Sequence, residues 1–393
     1  MKITRLVLES LHIPFRVAFK HASAERSVTQ SIWVAARSED GLMGYGEGCP
    51  RDYVTGETTA SVAAFFEKYR DNILARVTDL ASLREWSQSH QQDIDQNPAA
   101  WCAIELALLD LLARQHNQSV EGLLGLPLLT GPFTYSAVLG AMGTQQFAET
   151  LVRYQKLGMR NYKIKLTGEL GRDRENLAIL QSAGIAPAQV RADANNLWSD
   201  LDAAQTYFKS LDFSFFAIEE PLQAGKFIDL SALAGSLATR IILDESITRT
   251  SQIAQLPGAS EQWIVNLRVS KMGGLLRSLT MVDFCREHGL ALIVGAQVGE
   301  TSLLTRAALI VAQASRDILV AQEGAFGTLL LESDAVQPIL MFGANGEIDL
   351  RPLQLEHSPG FGLMPRAELA ELYFEHRTRM KANAGRLNTA RLP

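Results

Sequence analysis

The chain is 393 residues long, more than one compact core usually holds, so a large domain with a smaller companion is expected. Apolar residues make up 47% and charged residues 20%, which excludes an intrinsically disordered chain. A formal net charge of −6 argues against nucleic acid or an anionic membrane as the main partner, and no window reaches the ~18 consecutive apolar residues of a membrane span.

Residues 1–130 read as a mixed α+β unit. The N-terminus alternates charge and apolarity over 3–11, as an edge strand does, and carries no signal-peptide core. A second period-2 stretch, 31–37, turns back at Asp40-Gly41 onto 43–47, which predicts a hairpin. Ile104, Ala107, Leu108, Leu111 and Leu112 then place one apolar stripe on a helix. Cys49, Cys102 and Cys285 form no CxxC pair and read as small buried hydrophobes, in keeping with a reducing cytoplasm.

From 131 to 345 the rhythm changes. Short β-rich runs recur at 134–139, 162–166, 190–194, 216–219, 241–244, 264–269, 291–294 and 318–321, each followed by a helical stretch. That repeat predicts a parallel α/β sheet closed into a barrel rather than left open. The segment 346–393 holds a Pro359-Gly360 turn and an amphipathic helix near 367–374, and is expected to pack back on the first unit.

Three acids end successive strands: Asp193 in Arg-Ala-Asp-Ala-Asn, Glu219 in Ile-Glu-Glu-Pro, and Asp244 in Leu-Asp-Glu-Ser. They stand 26 and 25 residues apart, about one βα unit each, so neighbouring strands present them side by side at the C-terminal rim, where barrel active sites lie. Adjacent carboxylates repel unless a cation sits among them, and hard oxygen ligands select Mg²⁺. One strand earlier, Lys163 and Lys165 share a face by their period of two. Neighbouring ammonium groups depress one another's pKa, and a lysine so perturbed serves as a neutral base near pH 7.

The ordered set of KxK, Asp, Glu-Glu-Pro and Asp-Glu-Ser resembles the enolase superfamily, specifically its muconate-lactonizing-enzyme (mandelate racemase/muconate cycloisomerase-like) subgroup. Gly44-Tyr-Gly-Glu-Gly, the 103–110 helix and Lys271-Met-Gly-Gly extend the likeness over nearly the whole chain. The resemblance implies a modified TIM barrel, (β/α)7β, under an α+β capping domain built from the N-terminal segment and the C-terminal tail. It implies Mg²⁺ held by Asp193, Glu219 and Asp244, and abstraction of the proton α to a substrate carboxylate to give a metal-stabilised enediolate. Carried over by position, Lys165 is the base, Lys163 tunes it and contacts the substrate carboxylate, and Asn195 orients the metal shell. A homo-oligomer is expected on the same ground.

The chain departs from its relatives at the sixth strand. Dipeptide epimerases and o-succinylbenzoate synthases carry a second lysine there, whereas this chain has Arg268, with Lys271 three residues on as the other residue able to reach the site. Arginine stays protonated, so it is a poor acceptor; Arg268 is expected as a fixed cation paired with Glu245. At the eighth strand Glu323 replaces the dipeptide epimerases' Asp-x-Asp, and no histidine ends the seventh. Two capping loops near 15–26 and 49–58 are expected to close the mouth, the first offering Arg16, Lys20, His21 and Arg26. The expectation is a Mg²⁺-dependent lyase or cycloisomerase, muconate cycloisomerase- or o-succinylbenzoate synthase-like, on a small carboxylic acid. A racemase or epimerase of amino-acid derivatives is the alternative, and a non-catalytic ligand-binding barrel a minor one.

Overall fold

The computed structural model describes residues 2–21, 24–353, 358–367 and 369. Ile3–Leu11, Ser31–Ser38 and Met43–Gly48 form an antiparallel sheet with Ser31–Ser38 in the middle, joined to Met43–Gly48 through Gly41 at φ 92°. Helix Pro98–Gln115 crosses this sheet. It starts on a proline, whose missing N–H costs nothing at the first helical position, and Glu57 accepts from the free N–H groups of Ala99 (2.9 Å) and Ala100 (3.1 Å). The expected single apolar stripe understates it: every residue from Pro98 to Ala113 is buried.

The glycines of Gly44-Tyr-Gly-Glu-Gly explain how the sheet comes so close. A Cβ on Gly44, Gly46 or Gly48 would collide with the helix backbone at Ala107, Ala103 and Ala99 respectively. Two residues along a strand (about 6.7 Å) nearly match four along a helix (about 6.0 Å), so alternate glycines meet successive turns. Gly46→Ala is therefore expected to cost about 1–3 kcal/mol by overpacking, read as a lower denaturant midpoint. An unchanged midpoint would mean the two elements separate freely.

The large domain is an eight-stranded parallel sheet: Ala137–Leu139, Tyr162–Lys165, Val190–Asp193, Ala217–Glu219, Arg240–Leu243, Trp263–Leu267, Ala291–Val294 and Leu319–Gln322, adjacent in sequence order. The backbone N–H of Ser136 donates to the Gln322 carbonyl at 2.8 Å and joins the last strand to the first, so the sheet closes as a (β/α)7β barrel. Each predicted run holds a strand. The fifth connection differs from expectation, crossing by the 3₁₀ turns Thr250–Gln255 and Ser260–Gln262 instead of an α-helix. Inside the barrel a small apolar cluster (Ala217, Ile242, Ile264, Ile293, Ala321) fills the floor, which leaves the upper layer to polar side chains.

Two carboxylates of the N-terminal unit cap barrel helices. Glu47 accepts from Thr301 N–H (2.9 Å), the Thr301 hydroxyl (2.6 Å) and Leu304 N–H (3.3 Å) at the start of helix Ser302–Ala314. Glu105 accepts from Leu276 N–H (3.0 Å) at the start of Leu275–Glu287. In helix Ser302–Ala314, Arg306 forks onto both oxygens of Glu121 at 2.8 and 2.9 Å, with both side chains fully buried. Phe361 N–H donates to Asp110 (2.7 Å) and the Leu363 carbonyl accepts from Arg114 (2.8 Å), so this part of the C-terminal segment lies against helix Pro98–Gln115. Most of the predicted 367–374 helix lies outside the described residues. The three cysteines are buried and unpaired, and among the described residues no helix is long and apolar enough to cross a membrane.

Candidate active site

Strand register builds the site. Lys165 pairs with Asp193, Asp193 with Glu219, and Glu219 with Ile242, two residues before Asp244. With a period of two, these four side chains share the inner face of the rim. A cavity of about 870 Å³ opens above them, lined by Lys163, Lys165, Asp193, Asn195, Glu245, Arg268 and Glu323 among others. Its lining also includes apolar Met142, Tyr154, Leu157, Phe326 and Leu330, with Gln146, Thr150 and Arg153 among them.

The two lysines occupy different electrostatic environments. Lys163 Nζ sits 2.7 Å from Glu219, 2.8 Å from Glu323 and 3.4 Å from Asp193. Burial pushes its pKa down, but those three carboxylates outweigh burial and raise it above the ordinary lysine value, so Lys163 stays charged. The mutual depression expected of the pair reaches only Lys165. Burial lowers its pKa, Asp193 at 3.7 Å opposes, and Lys163 adds to the lowering. Lys165 donates to Asn195 Oδ1 at 2.9 Å, so Asn195 orients the amine, while its own backbone N–H donates to Asp193 (3.1 Å).

Each acid has protein cations against it. Arg268 pairs closely with Asp244 and lies 4.0 Å from Glu219. The expected Arg268–Glu245 pair does not form: the guanidinium turns to Asp244 and to the Gln297 side-chain oxygen Oε1 (2.8 Å), and Glu245 Oε2 is buried without a hydrogen-bond partner. Arg268 and Lys271 are both turned to Asp244, and burial, with Glu220, Asp193 and Glu219 nearby, pushes the unpaired Glu245 carboxyl up to about 8. Lys271 does not enter the cavity. Its three donors go to Asp244 Oδ1 (2.8 Å), the Asp244 carbonyl (2.6 Å) and the Asn266 carbonyl (2.7 Å). Glu323 meets Lys163 and Arg191 (2.9 Å), which outweigh burial and keep it ionised.

Asp193, Glu219 and Asp244 offer oxygen donors only, from one face, and Glu219 Oε2 has an ion-pair neighbour but no aligned hydrogen bond; this chemistry fits a hard divalent cation. Among the described residues no three His, Cys, Asp or Glu side chains are gathered as a chelating set, and Lys163, Arg268 and Lys271 pair with Glu219 and Asp244.

Several contributors went unread in the sequence. Arg191 stands two residues before Asp193 and Asn266 two before Arg268, so the period of two could have found both. Asn266 donates to Glu219 at 2.9 Å. Glu220, the second acid of Glu-Glu-Pro, accepts from Asp244 N–H (2.7 Å) and Ser246 N–H (2.8 Å) and fixes the turn that aims Asp244. Of the capping loops, Arg16 donates to the Thr328 carbonyl (2.7 Å), and Tyr53 lines the cavity. The side chains of Lys20, His21 and Arg26 lie outside the described residues.

A closed parallel barrel, a cap seated by buried acids and a charged rim of lysines and carboxylates define a barrel enzyme of the enolase type. Residues 146–369 match the family described as enolase C-terminal domain-like, and residues 2–125 match the mandelate racemase/muconate lactonizing enzyme N-terminal domain. The chain belongs to the enolase superfamily. It is 24% identical to the N-succinyl-L-Arg/Lys racemase of Bacillus cereus, over 92% of this chain and 95% of that protein. It is also 24% identical to the o-succinylbenzoate synthase of Bacillus subtilis, over 95% and 97%. The crystal structure of a dipeptide epimerase from Methylococcus capsulatus, complexed with Mg and the dipeptide L-Arg-D-Lys, superposes with a TM-score of 0.79 at 26% identity, covering 93% of this chain and all of that one.

Proposed function

We propose that this chain is a Mg²⁺-dependent enzyme that removes the α-proton of an N-acylated or peptide-linked amino acid, with Lys165 as the base. The observation that carries the reading is Lys165 itself: partly buried, lowered in pKa, held by Asn195 and lining the cavity beside Asp193. Asp193, Glu219 and Asp244 are the residues to hold the ion. When bound, it supplies the positive charge that neutralises the second negative charge of the deprotonated acid. Lys163 remains a fixed cation at the floor of the site, and Glu245 and Glu323 complete its wall. The relatives named for racemisation and epimerisation of amino-acid derivatives support this alternative over the muconate-type reading.

A second reading, elimination by a single base, is favoured by Arg268. A racemase of the two-base kind needs a proton acceptor on each face, and a guanidinium cannot accept.

Heavy water tests both. With Mg²⁺ and a panel of N-acyl amino acids and dipeptides of both configurations, deuterium is expected at the α-carbon. Loss of optical rotation with the skeleton intact supports racemisation, and a new double bond supports elimination; no exchange from any member sinks the proposal. Under the one-base reading, Arg268→Lys is expected to open exchange of the enantiomer that the unaltered protein leaves untouched.

A further inference from the structure

Gln297, in the loop after the seventh barrel strand, is only 2% exposed and lines the same cavity as Lys163, Lys165 and Arg268. Its Oε1 accepts from Arg268 Nη1 at 2.8 Å. Arginine carries donors only, so the amide orientation is fixed: oxygen toward Arg268, nitrogen away from it. That nitrogen has no hydrogen-bond partner. The loop cannot easily swing to find one, since Gln297 N–H donates to Glu300 (2.7 Å) and Arg51 from the cap bonds the Val298 carbonyl. A buried amide donor left without an acceptor carries a desolvation cost that a ligand oxygen at this wall of the cavity would relieve.

We infer that Gln297 Nε2 donates to the acyl carbonyl oxygen of the substrate, making Gln297 a specificity-determining residue that selects N-acylated over free amino acids. This rests on the function proposed above. With the α-carboxylate taken by the bound ion and by Lys163, the acyl carbonyl is left as the neutral acceptor that a neutral amide suits.

The test uses the full chain with Mg²⁺ and paired N-acetyl and N-thioacetyl amino acids, with dissociation constants from calorimetry. Sulfur is the poorer acceptor at nearly unchanged shape and charge. The unaltered protein is expected to bind the oxygen compounds about tenfold more tightly, and Gln297→Leu to erase that difference by weakening only the oxygen series. Equal weakening of both series overturns the inference, because Gln297 then acts only through Arg268. If Gln297→Leu does not fold, the oxygen–sulfur comparison on the unaltered protein decides alone, and equal affinities overturn the inference. Exchange of N-acetyl substrates without any oxygen preference refutes this inference and leaves the proposed function standing, whereas absence of both binding and exchange refutes both.

Discussion

Lys165→Ala is expected to slow α-proton exchange by about 10²–10⁴-fold, the usual contribution of a positioned base, while Mg²⁺ affinity measured by calorimetry persists. Lys163 cannot take over, because Glu219, Glu323 and Asp193 keep it protonated; Lys271, whose pKa burial lowers to about 7, does not line the cavity and directs all three donors to carbonyl and carboxylate oxygens. Arg268 cannot accept a proton. The pH dependence follows in sign. With Lys165 as the proposed base the neutral amine accepts the proton, so the rate is expected to climb as pH rises through the Lys165 pKa, and burial places that climb below the ordinary lysine value. A profile rising only at the value of an exposed lysine, or full exchange in Lys165→Ala, would assign the base elsewhere.

Arg306→Met is expected to destabilise the protein by about 3–5 kcal/mol, because it strands Glu121 as an unpaired charge in a fully buried position. Arg306 also donates to the Phe361 carbonyl at 3.1 Å, so one guanidinium ties a barrel helix to the N-terminal unit and to the C-terminal segment. The double substitution Arg306→Met with Glu121→Leu is expected to recover much of the loss, since replacing both partners removes the stranded charge. Urea unfolding of the single and double variants checks this; a double variant as weak as the single one would show that packing, not charge, sets the cost.

The strands were readable because parallel strands buried on both faces appear as short β-branched runs, such as Ile-Ile-Leu at 241–243. The acids and lysines were readable because strand period and spacing alone place them on one rim. What escaped depends on partners distant in sequence. Nothing near Gln297 announces that Arg268 will claim its oxygen, and nothing near Glu47 announces a helix beginning at Ser302. The pairing of Arg268 with Glu245 failed for the same reason: adjacency to Asp244 in the chain says little about which of two neighbouring acids remains ionised once buried. Helix Pro98–Gln115 was read as one stripe because the pattern counts a single face, whereas the glycines opposite it cover the other.

Glu47 and Glu105 bear on how this architecture can be rebuilt. Each is a plug whose socket is the N-terminal end of a helix in the other unit, so the two units are keyed at two fixed points. A hybrid that borrows its upper half from a relative needs an acid at both points or leaves two sockets bare. Retuning such a protein toward new molecules is thus cheaper in the connecting loops than by exchanging whole modules.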